Sequence, residues 1–288
     1  MNSINEQSTK GEIFDDFVVE ITADGSPTAR LKSDGINSIE SMHNSQGAAS
    51  ETVYIYTQPF VSLLNNHHLS SLKVLVIGLG LAYIEFNLLN QILNRQSTLS
   101  LSEINITTYE KSNELREKLK NAITYIYTNT TNLEGIQQNV VDLYQTILKS
   151  VVQTDDLDQI KKLSQICHEL LNLHKSSMCI HTDWTIKDEL SLETKNTEKY
   201  HFIAYDAFSQ KTDHPLWNEE FLNFFVLNFC ANDCVFTTYA CTGLLKRVLT
   251  QHGFKLIKRK GFKGKRDATL AVRGQPSAVI IQDFNNVQ

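Results

Sequence analysis

The stretch that decides the fold is Lys73-Val74-Leu75-Val76-Ile77-Gly78-Leu79-Gly80-Leu81-Ala82-Tyr83-Ile84-Glu85-Phe86. It begins with a short apolar run containing β-branched residues, which predicts a fully buried strand. The two glycines let the backbone approach a ligand closely, and the helix predicted after them offers free N–H groups at its N-terminus. Since open α/β sheets bind ligands at the carboxyl ends of their strands, the stretch predicts a nucleotide-type site.

The glycine pattern is incomplete, because the third glycine of the dinucleotide fingerprint is missing between Leu81 and Ile84. An ordinary tight turn therefore remains the alternative interpretation of this stretch. The elements that follow it along the chain favour the ligand site.

Length and composition restrict the class of protein. The 288 residues favour one large domain or a domain with an elaborate insert. No apolar run approaches the roughly 20 residues that span a bilayer, and the first ten residues lack the apolar segment of a signal peptide. The five cysteines form neither a Cys-x-x-Cys pair nor a cluster with histidines. We therefore expect a cytoplasmic protein with buried thiols and without a metal site or a membrane partner.

The chain divides into four predicted parts. Residues 1–12 are expected to be a disordered tail, and residues 13–65 a β-hairpin followed by a loop and a helix that cover the ligand. Residues 66–276 carry the main domain, in which residues 113–175 form a helical insert because apolar residues recur there at helical spacing. Residues 277–288 are expected to be a second tail.

Three predicted strands of the main domain end in acidic residues, Glu110, Asp183 and Asp206. Glu110 ends the second strand of a βαβ unit, where an acid commonly accepts hydrogen bonds from ribose hydroxyls. The alternative is that Glu110 caps the helix predicted to begin near Asn113. Acids at these three positions suit a ligand with a ribose, an adenine and a cationic amino-acid tail.

The order of the elements predicts the fold class. Five strands alternate with helices, and two final strands at 254–260 and 268–273 flank a turn too short for a crossover, so they form an antiparallel hairpin. This is an α/β pattern, a doubly wound sheet with one reversed strand. It resembles the Rossmann-like class I S-adenosylmethionine-dependent methyltransferases, with a seven-stranded, mostly parallel sheet.

A dense basic run lies near the C-terminus of a chain whose net charge is -5. Its members are Lys255, Lys258, Arg259, Lys260, Lys263, Lys265 and Arg266. The net charge argues against non-specific nucleic-acid binding by the whole surface but leaves room for a local patch. We interpret the run as a phosphate-contacting patch, and the alternative is a solvated face.

Several segments between about residue 14 and residue 273 carry a specific likeness. The strongest are Tyr205-Asp206-Ala207-Phe208-Ser209-Gln210-Lys211 with Trp217, then Thr238-Tyr239, Gly253-Phe254, Lys260-Gly261-Phe262 and Gly264-Lys265-Arg266-Asp267. Met42-His43, Gly47-Ala48 and Glu51 form a weaker N-terminal match. Together these segments resemble the methyltransferase half of the MnmC family, which finishes the 5-methylaminomethyl group on the wobble uridine of certain tRNAs. No chain remains for the flavin-dependent oxidase half of that family, so the resemblance implies a stand-alone methyltransferase.

The resemblance implies S-adenosyl-L-methionine as cofactor and the tRNA anticodon loop as partner. The implied reaction is attack of the aminomethyl nitrogen on the cofactor methyl group, with Asp206 and Phe208 as catalytic residues. Asp206 would orient the amine or accept its proton; the alternative is that it only caps the following loop. The expected cofactor-binding residues are Gly47, Glu51, Gly78, Gly80, Glu110, Asp183 and Asp206, with Glu110 at the ribose and Asp183 near the adenine amine.

The expected substrate-binding residues are Lys211, Trp217, Lys263, Lys265 and Arg266. Phe208 and Trp217 would stack on an extruded base, which costs little in a single-stranded loop. For Trp217 the alternative is a buried anchor of the following helix.

Two other functions remain open at this point. Fold does not fix the acceptor, so a methyltransferase of a small amine is one alternative. The other is a non-catalytic binding protein whose cofactor loop has decayed. Val76 and Leu81, which depart from the family pattern, support that idea, and the three acids at strand ends argue against it.

Overall fold

The computed structural model describes residues 13–32, 40–66, 69–128, 137–153, 156–263 and 267–285. The strands in these segments are β1 (Phe17–Ile21), β2 (Pro27–Leu31), β3 (Ser71–Ile77), β4 (Glu103–Tyr109), β5 (His181–Lys187), β6 (Tyr200–Tyr205), β7 (Cys230–Thr238), β8 (Lys255–Lys260) and β9 (Asp267–Arg273). The predicted N-terminal tail at 1–12 lies outside the described residues.

Seven of these strands form one sheet in the order β5-β4-β3-β6-β7-β9-β8. Strands β3 to β7 run parallel to one another, whereas β9 runs antiparallel to both β7 and β8. This arrangement confirms the predicted class I methyltransferase topology, with the reversed strand supplied by the C-terminal hairpin.

The helices pack on both faces of the sheet and at its edges. They are α1 (Ala48–Thr52), a π-helical turn (Val53–Thr57), α2 (Gln58–Asn66), α3 (Tyr83–Arg95), α4 (Asn113–Thr128), α5 (Gln138–Val152), α6 (Leu157–His168), a second π-helical turn (Glu169–Leu173), a 3₁₀ turn (His214–Trp217), α7 (Glu219–Phe229), α8 (Gly243–Gln251) and α9 (Ser277–Asn285). Of the described helices, none is long and apolar enough to cross a membrane.

The apolar run of β3 is buried because helices cover both faces of the sheet. Val74 and Val76 belong to the core that contains α3 to α6. Leu75 and Ile77 belong to the core that contains α7 and α8. Successive side chains of β3 alternate between these two faces, and both faces are buried. No position of this part of the strand therefore requires a polar residue, and its sequence from Val74 to Ile77 is a continuous apolar run.

The hairpin of β1 and β2 caps the N-terminus of α1. Ser26 Oγ accepts hydrogen bonds from the backbone N–H groups of Ala48 and Ala49, at 3.1 and 3.0 Å. Asp24 Oδ2 accepts one from the backbone N–H of Ser50, at 3.1 Å. Burial raises the pKa of Asp24, but hydrogen bonds from Ser26, Ser50 and Thr22 outweigh it and hold the pKa well below its ordinary value. The hairpin is thereby fixed to the helix that follows it.

The C-terminal segment corrects one expectation. Residues 277–285 form α9 rather than a tail. Ile280 is fully buried, and Ser62 Oγ of α2 donates a hydrogen bond to Asp283 Oδ2 at 2.5 Å. The helix forms because α2 and β8 cover its apolar side. The local sequence pattern does not predict these contacts.

Candidate active site

A cavity of about 1560 Å³ opens at the carboxyl ends of β3, β4 and β6. Strand β3 lies between β4 and β6 in the sheet: the chain passes from β3 to β4 and β5 on one side and then crosses to β6 on the other side, so the strand order reverses at β3. Such a switch point is the usual ligand site of an open α/β sheet. The segment from Glu40 to Ser45, which we call the covering segment, also lines this cavity.

The loop after β3 requires glycine for two reasons. Gly78 and Gly80 have φ angles of 91° and 51°, in the left-handed region. A Cβ atom on Gly78 would lie 2.7 Å from the carbonyl oxygen of Asp206, and one on Gly80 would lie 3.2 Å from Met42 Sδ. The loop therefore passes close to the end of β6 on one side and to the covering segment on the other.

The acid at the end of β4 closes this loop. Glu110 Oε2 accepts hydrogen bonds from the backbone N–H groups of Leu79 and Gly80, at 3.1 and 3.3 Å. Its Oε1 accepts one from the backbone N–H of Ser112 at 2.7 Å. Burial raises the pKa of Glu110 above its ordinary value, and these N–H groups partly oppose that effect. Glu110 lines the cavity, as its predicted role requires, and it also starts the turn into α4.

Asp206 lies at the carboxyl end of β6 and is fixed at both backbone and side chain. Its backbone N–H donates to the carbonyl of Ile77 at 2.8 Å, which ties β6 to β3. The hydroxyl of Tyr56 donates a hydrogen bond to Asp206 Oδ1. Burial, together with the nearby charge of Asp206, raises the pKa of Tyr56 well above its ordinary value, so the phenol remains a donor. Both residues line the cavity.

Asp183 lies elsewhere, and its predicted contact with an adenine is wrong for this structure. The third strand of the parallel set begins at His181, so Asp183 is near its amino end, paired with Asn105. It lines a separate cavity with Lys73, at the opposite end of the sheet from Glu110. At the carboxyl end of β5, Glu189 lines the main cavity instead.

The N-terminal residues named from the resemblance have different positions. Glu51 is buried and lines the cavity, and its Oε2 accepts a hydrogen bond from the backbone N–H of Asn44 at 2.6 Å. Gly47 is not among the lining residues. A Cβ there would lie 2.3 Å from Asp24 Oδ2, so this glycine permits the contact between hairpin and helix. Its role in the structure is to hold the covering segment rather than to face a ligand.

Of the aromatic candidates after β6, one lines the cavity and one does not. Phe208 is half-buried and faces the cavity. Trp217 is buried, packs edge-on against Tyr205 with ring centroids 5.0 Å apart, and donates its Nε1–H to the Phe208 carbonyl at 2.5 Å. Trp217 is thus the buried anchor of the alternative interpretation, and base stacking by it is wrong. Lys211 is exposed and lies outside the cavity lining.

The basic run is divided by the alternation of β8. Arg259 is buried, and its guanidinium lies over the ring of Tyr54, 3.9 Å from the centroid, so it does not belong to a surface patch. Lys258, Lys260 and Lys263 are exposed. Lys263 Nζ lies 3.5 Å from the carbonyl of Gln46, beside the covering segment. Lys265 and Arg266 lie outside the described residues.

Sequence reasoning missed several residues of the site. Tyr56 is one, and Glu40 is another: its carboxylate accepts hydrogen bonds from the backbone N–H and hydroxyl of Ser209, both at 2.9 Å, and from the Thr212 hydroxyl at 2.5 Å. Glu40 therefore ties the covering segment to the loop after β6. A lone acid in a polar stretch carries no sequence signal for this contact.

The charge of the cavity is strongly one-sided. Among the described residues that line it are ten carboxylates, two lysines and one histidine. The carboxylates are Asp15, Asp16, Glu40, Glu51, Glu110, Glu114, Glu189, Glu193, Asp206 and Asp213. One lysine, Lys111, lies 3.7 Å from Asp213 and neutralises part of this charge. A cavity of this composition attracts cations.

Comparison with known proteins gives three consistent results. The sequence model of a family described as S-adenosyl-L-methionine-dependent methyltransferase matches residues 157–274. The tRNA 5-methylaminomethyl-2-thiouridine biosynthesis bifunctional protein MnmC of Hahella chejuensis is 34% identical over 67 residues. That match spans 23% of this chain and 10% of the length of the curated relative. The crystal structure of MNMC2 from Aquifex aeolicus superposes with a TM-score of 0.58 at 16% identity, over 92% of this chain and 74% of that chain, which shows a shared fold.

Proposed function

We propose that this chain is an MnmC-type, S-adenosyl-L-methionine-dependent methyltransferase domain and that it methylates an amine, the 5-aminomethyl group of the wobble uridine of tRNA. The observation that carries the amine assignment is the cavity lining of ten carboxylates and two lysines. Carboxylates stabilise a positive charge within about 4–6 Å. Both the sulfonium of the cofactor and an amine that becomes charged on methylation suit such a lining.

The residues present fit the cofactor. The backbone of the glycine loop is accessible beside the cavity, because Gly80 has no Cβ atom to fill the space toward Met42. Glu110 presents a carboxylate beside that loop. The cavity volume of about 1560 Å³ exceeds the roughly 300–1,000 Å³ of a common small-molecule site, which leaves room for an acceptor beside the cofactor. When bound, S-adenosyl-L-methionine supplies a methyl group on a sulfonium that is already a good leaving group.

The chain's own contribution to the reaction centres on Asp206. A protonated amine has no free lone pair, so the acceptor nitrogen must be neutral and held in one orientation. Asp206 lies at the switch point beside Gly78 and presents its carboxylate to the cavity. In the proposed role it accepts a hydrogen bond from the neutral amine and, once the nitrogen carries the methyl group, accepts the proton that the nitrogen gives up. Phe208, in the same cavity wall, offers a ring face to the base that carries the amine.

Two features support tRNA as the molecule that carries the amine. The first is the likeness to MnmC, whose name specifies a modified tRNA uridine. The second is the position of the basic turn after β8. Tyr54 Oη donates to the carbonyl of Lys260 at 2.9 Å, and Lys263 lies against Gln46, so the turn adjoins the segment that covers the cavity. Phosphates bound there would lie beside the acidic cavity rather than inside it.

The direct test is methyl transfer to tRNA carrying 5-aminomethyluridine, followed by nucleoside analysis. We expect methylation of this tRNA by the parent protein, and a large loss of turnover in Asp206→Asn with cofactor affinity changed much less. The matched control is Asp183→Asn, which makes the same change at the other end of the sheet and should leave turnover unaltered. Unchanged turnover in Asp206→Asn would remove that residue from the mechanism.

The salt dependence of binding separates tRNA from a small amine, the alternative that the acidic lining also favours. Neutralising Lys263, Lys265 and Arg266 together should weaken tRNA binding and flatten its salt slope by about one unit per lost phosphate contact. The matched control neutralises Lys149, Lys161 and Lys162, exposed on α5 and α6. A slope identical in the two triple variants would mean that the run is a solvated face. Methylation of free amines without salt-dependent tRNA binding would favour the small-amine acceptor.

A further inference from the structure

The helix that carries Tyr56 contains a π-helical turn at Val53–Thr57, between α1 and α2. A π-helical turn adds a residue to the helix and frees carbonyl groups from their usual partners, and such turns concentrate at functional sites. Here the turn changes which residues share a face. Glu51 and Tyr56 both line the cavity, although five residues of α-helix would turn them well apart.

Two residues from the C-terminal half of the sheet hold this turn. Thr237 Oγ1 of β7 donates a hydrogen bond to the carbonyl of Ile55 at 2.6 Å. Arg259 of β8 donates to the carbonyls of Tyr54 and Ile55, and to Gln58 Oε1 at 2.8 Å. Because both donors are buried, they fix the rotation of the turn and hence the direction of the Tyr56 side chain.

The side chain of Tyr56 reaches Asp206. Its side chain is buried, with 2% of its surface exposed, and its hydroxyl donates to Asp206 Oδ1. The backbone of Asp206 is held independently by the Ile77 carbonyl. One carboxylate oxygen is therefore bound by a fixed donor, and a fixed carboxylate presents its other oxygen in a defined direction.

We propose that Tyr56 is a positioning residue for Asp206: its hydroxyl holds one carboxylate oxygen and so keeps the carboxylate turned toward the acceptor amine. This rests on the proposed function, since it assigns the use of Asp206 in the same site. The charged and titratable groups that act on Tyr56, besides Asp206, are Glu51 on α1 and Tyr239 after β7, and Tyr239 in turn lies near Glu40 and Asp213 at the cavity wall. Three of these are carboxylates that disfavour a further negative charge, so the Tyr56 donor opposes them.

The test is Tyr56→Phe, which removes only the hydroxyl. We expect turnover to fall about tenfold or more, as for loss of a hydrogen bond to a charged group, with cofactor affinity within about twofold of the parent. We also expect the acid limb of the pH–rate profile to move to higher pH by about one unit. The matched control is Tyr200→Phe, which removes a phenol buried at the other end of β6 and should leave the acid limb in place.

A second measurement needs no acceptor. The carbon NMR signal of the Asp206 carboxyl can be assigned by its loss in Asp206→Asn. The pH midpoint of this signal should be higher in Tyr56→Phe than in the parent. Thr237→Val, which removes one anchor of the π-helical turn but keeps Tyr56, should shift the titration in the same direction by less. Equal midpoints in all three proteins would overturn the positioning role. A shifted midpoint without methylation of any amine would instead count against the proposed function alone.

Discussion

The backbone nitrogen of Gly80 lies 3.3 Å from Glu110 Oε2, so the acid at the end of β4 is bound to the glycine loop at the end of β3. These two residues are separated by helix α3 in the chain and are brought together by the parallel pairing of Ile77 with Tyr109. The site is thus assembled by the register of the sheet. Loss of either residue is expected to affect the loop as well as any direct contact with a ligand.

The first prediction concerns Glu110. Glu110→Gln keeps an acceptor for the loop N–H groups but removes the negative charge that faces the cavity. We expect S-adenosyl-L-methionine to bind about 10–100-fold more weakly, the scale for a hydrogen bond to a charged group. Titration calorimetry measures this. Asp183→Asn is the control, since that carboxylate lies at the opposite end of the sheet, and equal losses in the two variants would contradict the proposed cofactor site.

The second prediction concerns Gly78. In Gly78→Ala the new Cβ would meet the Asp206 carbonyl oxygen at 2.7 Å, and the φ angle of 91° is unfavourable for alanine. We expect the free energy of unfolding to fall by roughly 2 kcal/mol or more, measured by denaturant unfolding. Gly243→Ala, with nothing within 4 Å of the added atom, should be neutral or slightly stabilising. Similar losses in both variants would show that the close approach at Gly78 is unimportant.

The third prediction concerns Glu85, which is fully buried and accepts a hydrogen bond from Thr108 Oγ1 at 2.8 Å. Burial raises its pKa from 4.5 to about 8. Between these values the folded protein therefore binds more protons than the unfolded chain, and stability falls as the pH rises. Because glutamine does not titrate, we expect Glu85→Gln to lose roughly 2–4 kcal/mol less unfolding free energy than the parent as the pH rises through this range.

The measurement for Glu85 is denaturant unfolding of both proteins at several pH values between 4.5 and 8. Exposed Glu117→Gln, on α4, is the control and should keep the slope of the parent. A slope that persists unchanged in Glu85→Gln would show that the buried carboxyl is not the source of the pH dependence.

The fourth prediction concerns Arg259. Its guanidinium binds backbone carbonyls of the π-helical turn and lies between the rings of Tyr54 and Phe284. Arg259→Leu should lower the free energy of unfolding by roughly 2–4 kcal/mol, because buried carbonyls lose their donor. Lys255→Ala, an exposed change on the same strand, should alter it by less than about 0.5 kcal/mol. Thermal or denaturant unfolding compares the two variants. If Arg259→Leu were as stable as the parent but bound tRNA more weakly, Arg259 would belong to the phosphate-contacting surface after all.

Much of the fold and part of the site follow from local sequence. The apolar run into Gly78 and Gly80, and the acid at Glu110, are signals that depend on a few neighbouring residues and on the order of elements. The terminal hairpin follows from the short turn between β8 and β9. The burial of Arg259 also had a local signal, since it lies two residues after the buried Ile257 and therefore on the same face of β8.

The rest was decided by tertiary structure. Asp183 is near the amino end of β5 because His181 pairs with Glu103, and the register between distant strands is not encoded in either strand alone. Helix α9 forms because α2 covers its apolar side. Tyr56 meets Asp206 only through a π-helical turn held by Thr237 and Arg259. The sequence by itself determined the order of strands and helices as far as β9, and the glycines and acids that follow β3, β4 and β6. The packing of distant elements decided which side chains face one cavity, because a contact between residues 150 positions apart, such as Tyr56 with Asp206, leaves no periodic pattern in the sequence.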